Sequence, residues 1–344
     1  MLKAYIGEIK KGLPLAEVIR PNFGIGKTGG RWTERYVELR DPVLEIVEQP
    51  EQADFLLVPH NYNLIKRDVE YLAQFEFLAI GHEKKVVIFF PGDSSETVMV
   101  KNSIIFRNSQ YRSDLKSNEI ILPGYVEDLG SGIDLFPRKK GDRPIIGFCG
   151  WAGFRTGFES LKFWIKTLPL FVASIFDEKA ILHIKGVWWR KKILARLRQS
   201  EEIITKFIIR RTYSGNEKTI ELDLEQAKRE YVENILQSDF TLCVKGDGNF
   251  STRFYETLSL GRIPLLLDTE CVLPMEAEID YSEFVFKIDH KDYRNISSVV
   301  SKFFRELSEE RYMAMQTRAR EVFISHLRLD AYFNRIFQSK DFLL

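Results

Sequence analysis

The sequence predicts an α/β protein made of two doubly wound parallel sheets that face a cleft. Three observations carry this. Short runs of four to seven residues, rich in Ile, Val, Leu and Phe, recur along the chain, and most end in Gly, Pro, Asp or His. Such runs suit strands buried on both faces of a parallel sheet, each leaving through a loop into a helix. Amphipathic stretches separate them, which is the βα alternation of doubly wound folds. The alternation also occurs twice, on either side of "LGSGIDLFPRKKGDRP" (Leu129–Pro144), where Gly, Pro and charge mark a linker.

In order, the expected strands of the first half are "KAYIGEI", "DFLLVPH", "KKVVIFFPGD", "SIIFRN" and "EIILPG". Those of the second half are "RPIIGFCGWAG", "AILHIKG", "FIIRRTYSG", "FTLCVKG", "IPLLLD" and "FVFKID". "GFESLKFWIKTLPLFVASI" and "LEQAKREYVENILQSD" read as helices, and from Ser297 onward the pattern is helical with no later strand. The boundary falls near Lys140. This gives an acceptor-side domain over 1–140, a second domain over 141–325, and a helix over 326–344 that returns to the first.

Bulk properties exclude several classes. With 344 residues, 44% hydrophobic and 29% charged, the chain is an ordinary globular protein. A formal net charge of +1 gives no global basic field, so neither nucleic acid nor a polybasic membrane anchor is expected. Cys149, Cys243 and Cys271 form no CxxC pair and no Cys/His metal spacing, and are expected as buried or half-buried thiols of a reducing compartment. "ELDLEQ" holds a single Asp between leucines and is not a metal-binding D-x-D. The N-terminus lacks the apolar centre of a signal peptide, and no window approaches the roughly 20 apolar residues of a membrane span. A cytoplasmic protein is expected, with peripheral association at a membrane left open.

The chemistry concentrates in "DFTLCVKGDGNFSTRFYETLSLGRIPLLLD" (Asp239–Asp268). A strand ends at Lys245. Gly246, Asp247 and Gly248 then form a loop that approaches a ligand closely, and Asn249 or Ser251 caps the helix that follows. A helix N-terminus suits a phosphate, and Lys245, Ser251 and Arg253 add donors at the same end. Glu256 lies one turn past Arg253 on the same side. Cations at the helix mouth with a carboxylate a turn deeper fit a nucleotide diphosphate, with Glu256 on the ribose hydroxyls. An Arg–Glu helix pair beside a structural turn accounts for the same residues about as well.

The stretch also resembles the C-terminal signature of the exostosin family of glycosyltransferases. The resemblance rests on Gly246, Asp247, Gly248, Ser251, Arg253, Glu256, Gly261, Ile263, Pro264, Leu273, Pro274, Tyr281 and Phe284 at matching spacing over some sixty residues. Arg262 and Met275 replace the usual Cys and Phe. Upstream, "QADFLLVPH", "EIILPG" and "RPIIGFCGWAG" are similar to family strands, while the usual Gly-x-Asp-His segment is missing and "VVIFFPGDSSE" stands in its place. The resemblance implies a GT-B architecture, with a nucleotide-sugar, expected to be a UDP-sugar, in the second domain. It also implies an inverting transfer to a hydroxyl of a glycan or glycolipid acceptor, and no required metal or other cofactor; the lack of a signal or stem in the sequence points the expectation to surface polysaccharide synthesis.

Other loops supply further candidates. Arg155 in "GFCGWAGFRTG" is placed to approach the diphosphate or sugar, unless the segment is a plain tight turn. Lys185, read at a strand terminus, is a phosphate contact or a solvated lysine. Arg210, with Arg211 and Thr212, sits where such folds seat a nucleobase. "NFGIGKTGGRW" lacks P-loop spacing and is read as an acceptor-side loop. An inverting transfer needs a base, and Asp93 and His60 both end strong strands that face the cleft. A turn or cap role for Asp93, and a backbone-bonded role for His60, stand as alternatives. Two rival functions remain. One is another enzyme on this architecture, such as an epimerase or phosphorylase. The other is a catalytically silent partner that binds nucleotide-sugar or glycan.

Overall fold

The computed structural model describes residues 1–28, 37–154, 156–212, 223–338 and 340–343. In the first domain, β1 (Leu2–Tyr5), β2 (Leu44–Val47), β3 (Phe55–Leu57), β4 (Val86–Phe90), β5 (Ser103–Arg107) and β6 (Glu119–Ile121) form one parallel sheet in the order β2-β1-β3-β4-β5-β6. In the second, β7 (Ile145–Trp151), β8 (Ile204–Arg210), β9 (Phe240–Cys243), β10 (Ile263–Asp268) and β11 (Phe286–Asp289) form another, in the order β8-β7-β9-β10-β11. Both sheets are parallel throughout, as the continuous apolar runs predict, and every residue of β4, β5 and β9 is buried. Strand order reverses beside β1 and beside β7. A crevice therefore opens beyond the carboxyl ends of β1 and β3, and another beyond those of β7 and β9.

Two strand expectations are corrected. "AILHIKG" is not a strand. Glu178–His183 is a 3-10 helix started by the Asp177 side chain, which accepts the Lys179 N–H at 2.9 Å, and β8 takes the place beside β7. Leu44–Val47 is an additional strand. It is an edge strand, buried at Leu44 and Val47 and accessible at Glu45 and Ile46, so it lacks the continuous apolar run that marks its neighbours.

The helices are α1 (Val69–Gly81), α2 (Gly157–Phe176), α3 (Gly186–Arg198), α4 (Leu224–Leu236), α5 (Thr252–Ser259), α6 (Ile296–Glu306), α7 (Glu309–Val322) and α8 (Leu329–Gln338). α3 and α6 pack on the second sheet through Trp189, Ile193, Val300 and Phe304 against Phe148, Phe240 and Leu265. α5 and α7 share a smaller core through Leu258, Phe254, Ala319 and Val322. α8 packs on the first sheet: Phe337 stacks on Phe55 at 6.2 Å, Phe333 meets Phe89 at 5.8 Å, and the Tyr332 hydroxyl donates to Ile121 O at 2.9 Å. The last helix of the chain thus completes the core of the first domain. The three cysteines are free and buried, and burial pushes the Cys243 thiol up to about 12.

Arg107, at the end of β5, is fully buried and paired with Glu119 on β6. Its Nε donates to Ser109 O at 3.0 Å and its Nη2 to Ser94 O at 2.8 Å. Gln110 Nε2 donates to the other Glu119 oxygen at 2.8 Å. One ion pair therefore shapes both loops that leave β4 and β5 toward the second domain. Breaking a buried pair from one side strands the other charge. Arg107→Met is expected to cost about 3–5 kcal/mol of stability in urea unfolding; a loss below about 1 kcal/mol would contradict this role.

Candidate active site

The loop after β9 is stitched to the first domain. Gly248 N–H donates to Asp93 Oδ1 at 3.1 Å, Asn249 N–H to Ser109 Oγ at 2.8 Å, and Asn249 Nδ2 to Gln110 O at 3.1 Å. Lys245 Nζ donates to the Tyr111 hydroxyl at 2.9 Å. Gly248 is required here, because a Cβ would lie 2.5 Å from the Asp93 Cα. Asp93, exposed at the end of the β4 loop, is thereby brought against the glycine loop of the other domain.

Several expected donor contacts are corrected. Lys245 is 2% exposed, and its Nζ is held by Tyr111 and by Leu182 O at 2.5 Å, so it braces the seam and does not reach a phosphate. Burial pulls its pKa down to about 7. Gly246 N–H is used on Phe250 O at 3.0 Å and Gly248 N–H on Asp93, so these two amides close the loop. Ser251 occupies the N-cap of α5 without a side-chain cap bond. Asn249 does not cap either; it donates to Thr269 O at 3.0 Å and accepts from the Thr269 hydroxyl at 2.6 Å. Lys185 ends no strand. It is the N-cap of α3, and its half-exposed ammonium pairs with Asp247 at 2.7 Å. Arg210 is paired with Glu230 at 2.9 Å. Arg155 lies outside the described residues.

Arg253 and Glu256 do not pair with each other. Arg253 Nη2 donates to Cys149 O at 2.9 Å, and its guanidinium lies 4.4 Å above the centre of the Phe148 ring. Gly150, at φ +150°, admits it: a Cβ there would sit 2.6 Å from Nη2. Burial works against the charge, but the Tyr231 hydroxyl, Cys243 and Glu256 more than offset it and hold the pKa above its ordinary value. Glu256 is 2% exposed and accepts a short hydrogen bond from the Tyr231 hydroxyl of α4. Burial pushes its pKa up to about 7, against the opposing pull of Tyr231 and Arg253. A ribose contact by Glu256 is therefore replaced by a buried Tyr231–Glu256 bond beneath the β7 end. Sequence reasoning missed Tyr231, and Arg190 as well. Arg190 reaches Lys245 O at 2.8 Å and Trp151 O at 3.2 Å, tying the β7 and β9 loops together. Both look like ordinary helix residues in the sequence.

His60 is corrected as a base. It is fully buried, its Nε2 accepts the Lys10 N–H at 2.9 Å, and its Nδ1 donates to Pro14 O at 3.0 Å. Both ring nitrogens serve the backbone. Of the two base candidates only Asp93 stands at the seam. Among the described residues no three His, Cys, Asp or Glu side chains gather as a metal site would need.

Residues 187–303, from α3 into α6, match the family model described as the Exostosin GT47 domain. No curated protein matches the chain. Among solved structures, a glycosyltransferase from Rickettsia africae aligns over 85% of this chain and 77% of its own, at 10% identity and a TM-score of 0.40. TarM aligns over 74% of this chain and 55% of its own, at 11% identity and a TM-score of 0.33. A complex of an S. aureus TarM mutant with fondaparinux, alpha-GlcNAc-glycerol and UDP gives 9% identity, 83% and 55% coverage, and a TM-score of 0.36. The chain thus spans about half the length of TarM. At these scores the fold rests on the chain's own two sheets, which fit the GT-B arrangement.

The two buried ionisable groups shift stability in opposite senses. Glu256 holds its proton in the folded state up to about pH 7, above its ordinary 4.5, so stability falls as pH rises between these values. Lys245 is neutral in the folded state above about 7 and protonated in the unfolded chain up to 10.5, so stability rises over that window. Urea midpoints measured against pH should show the fall abolished in Glu256→Gln and the rise abolished in Lys245→Met. A wild-type profile without either slope would contradict the burial of these groups.

Proposed function

From the exostosin-type glycosyltransferase domain carried by residues 187–303, we propose that the protein transfers a sugar from a nucleotide diphosphate-sugar to a hydroxyl of a glycan or glycolipid acceptor, with inversion. The supporting observation is the contact between Asp93 of one domain and the glycine loop of the other, at the mouth of the crevice beyond β7 and β9. In this reading the donor's diphosphate lies at that crevice. The acceptor lies against the first domain, and Asp93 takes the proton of its hydroxyl. The acceptor oxygen forms its bond to the anomeric carbon as the bond to the diphosphate breaks, and the electron pair leaves with the nucleotide.

Arg253 answers the charge on the leaving group. Its guanidinium is fixed on Phe148 and Cys149 O at the end of β7. From a half-buried position its field is less screened by solvent than that of a surface cation. A preorganised cation stabilises a leaving diphosphate as a divalent metal would, so turnover is expected to persist in a chelator. Glu256 and Tyr231 keep the floor beneath Arg253 in place, and a UDP-sugar is the first donor to test.

Nucleotide release from a panel of nucleotide-sugars, with an acceptor glycan present, tests the base. Asp93→Asn should lower kcat by about 10²–10⁴ while leaving donor KM within a few-fold, and His60→Gln should leave kcat of the folded protein near wild type. Full activity in Asp93→Asn would remove Asp93 from the reaction, and a collapse of kcat in His60→Gln would restore His60 to it.

A further inference from the structure

α2 carries an apolar face that nothing covers among the described residues. Among the described residues, eight of the 23 exposed large hydrophobic side chains stand on this one helix. Phe158, Leu161, Ile165, Leu168, Val172 and Ile175 recur at spacings of three and four and are between 50% and 77% exposed. They line one arc of the helix. A different arc, carrying Phe163, Leu170 and Phe171, packs on the second core, where Phe171 lies 5.3 Å from the Trp188 ring. Contiguous apolar surface on this scale marks an interaction site, whereas isolated exposed hydrophobic residues do not.

The charge around the face names the occupant. Residues 157–199, spanning α2 and α3, hold nine Lys and Arg against three Asp and Glu, where the whole chain holds 50 against 49. Lys162 and Lys166 are exposed on α2 itself. Lys192, exposed on α3, has its ammonium 6.0 Å from the Trp188 ring on which α2 packs. A second copy would meet this surface with the same surface, cation against cation. Anionic headgroups neutralise the lysines while acyl chains take the apolar arc. Among the described residues no helix is long and apolar enough to cross a membrane.

We propose that α2 lies in the surface of a bilayer bearing anionic lipids, its Phe158–Ile175 arc in the acyl boundary and Lys162, Lys166 and Lys192 among the headgroups. α2 spans 20 residues, about 30 Å of helix, and follows the β7 loop directly. The segment after it leads through His183 to Gly186, whose N–H donates to Gly246 O of the glycine loop at 2.9 Å. A docked α2 therefore holds the cleft beside the membrane, within reach of a lipid-borne acceptor.

Co-sedimentation of the full chain with vesicles tests this without any turnover, so it stands or falls separately from the proposed transfer. Binding to phosphatidylcholine vesicles containing phosphatidylglycerol should exceed binding to pure phosphatidylcholine at least tenfold and weaken with added salt. The double substitution Ile165→Glu and Leu168→Glu should abolish it, and Lys162→Glu with Lys166→Glu should weaken it. All four positions are exposed, so the urea midpoints of these variants should match wild type. Trp164, at the edge of the arc and 43% exposed, should give a vesicle-induced blue shift that Trp164→Phe removes. The proposal is overturned by any of three results: no vesicle binding, undiminished binding in the Ile165/Leu168 variant, or a wild-type dimer that this variant converts to monomer.

Discussion

A buried arginine with one carboxylate to answer it organises the meeting of the two domains. Arg107 and Glu119 are both shut away from solvent. The guanidinium's Nε and Nη2, and the second Glu119 oxygen, bond to the loops after β4 and β5. Those loops carry Asp93, Ser109 and Gln110, which are the groups that grip the glycine loop after β9. The conformation of the candidate active site in the second domain is thus set in part by an ion pair inside the first. α8, by packing on the first sheet after the chain has built the second, adds a covalent tether to the same arrangement.

The sheet-forming part of this fold is written openly in the sequence. Strands buried on both faces must be continuously apolar, and Val86–Phe90, Ser103–Arg107 and Phe240–Cys243 are found where their runs lie. Where a strand is an edge, as at Leu44–Val47, the run breaks up and the signal fades. Where an apolar run is capped by an Asp, as at Asp177, local hydrogen bonding turns it into a 3-10 helix. The site was legible only as a place. The glycine loop is where the sequence put it, but which donors are open depends on partners 25 to 155 residues away. Tyr111 takes the Lys245 ammonium, Asp93 takes the Gly248 amide, and Tyr231 takes the Glu256 carboxyl. No spacing rule reports those pairings.

Net charge says nothing of how charge is distributed. A total of +1 excludes a global basic field, yet α2 and α3 concentrate cations beside an apolar arc while the rest of the chain balances them. Composition averages over the molecule, whereas a surface is built from one or two helices. The start of α3 is bonded to the glycine loop, so the proposed membrane surface and the proposed donor site share part of their framework.

The account rests on Arg253 as the fixed cation of a donor site in the crevice beyond β7 and β9. Calorimetric titration of nucleoside diphosphates in the presence of a chelator, on the wild type and on Arg253→Ala, tests that most directly. Saturable binding of one nucleoside diphosphate, weakened by about 10²–10³ in the variant, is the predicted result. Equal binding in both proteins, or none by the wild type to any nucleoside diphosphate, would contradict it.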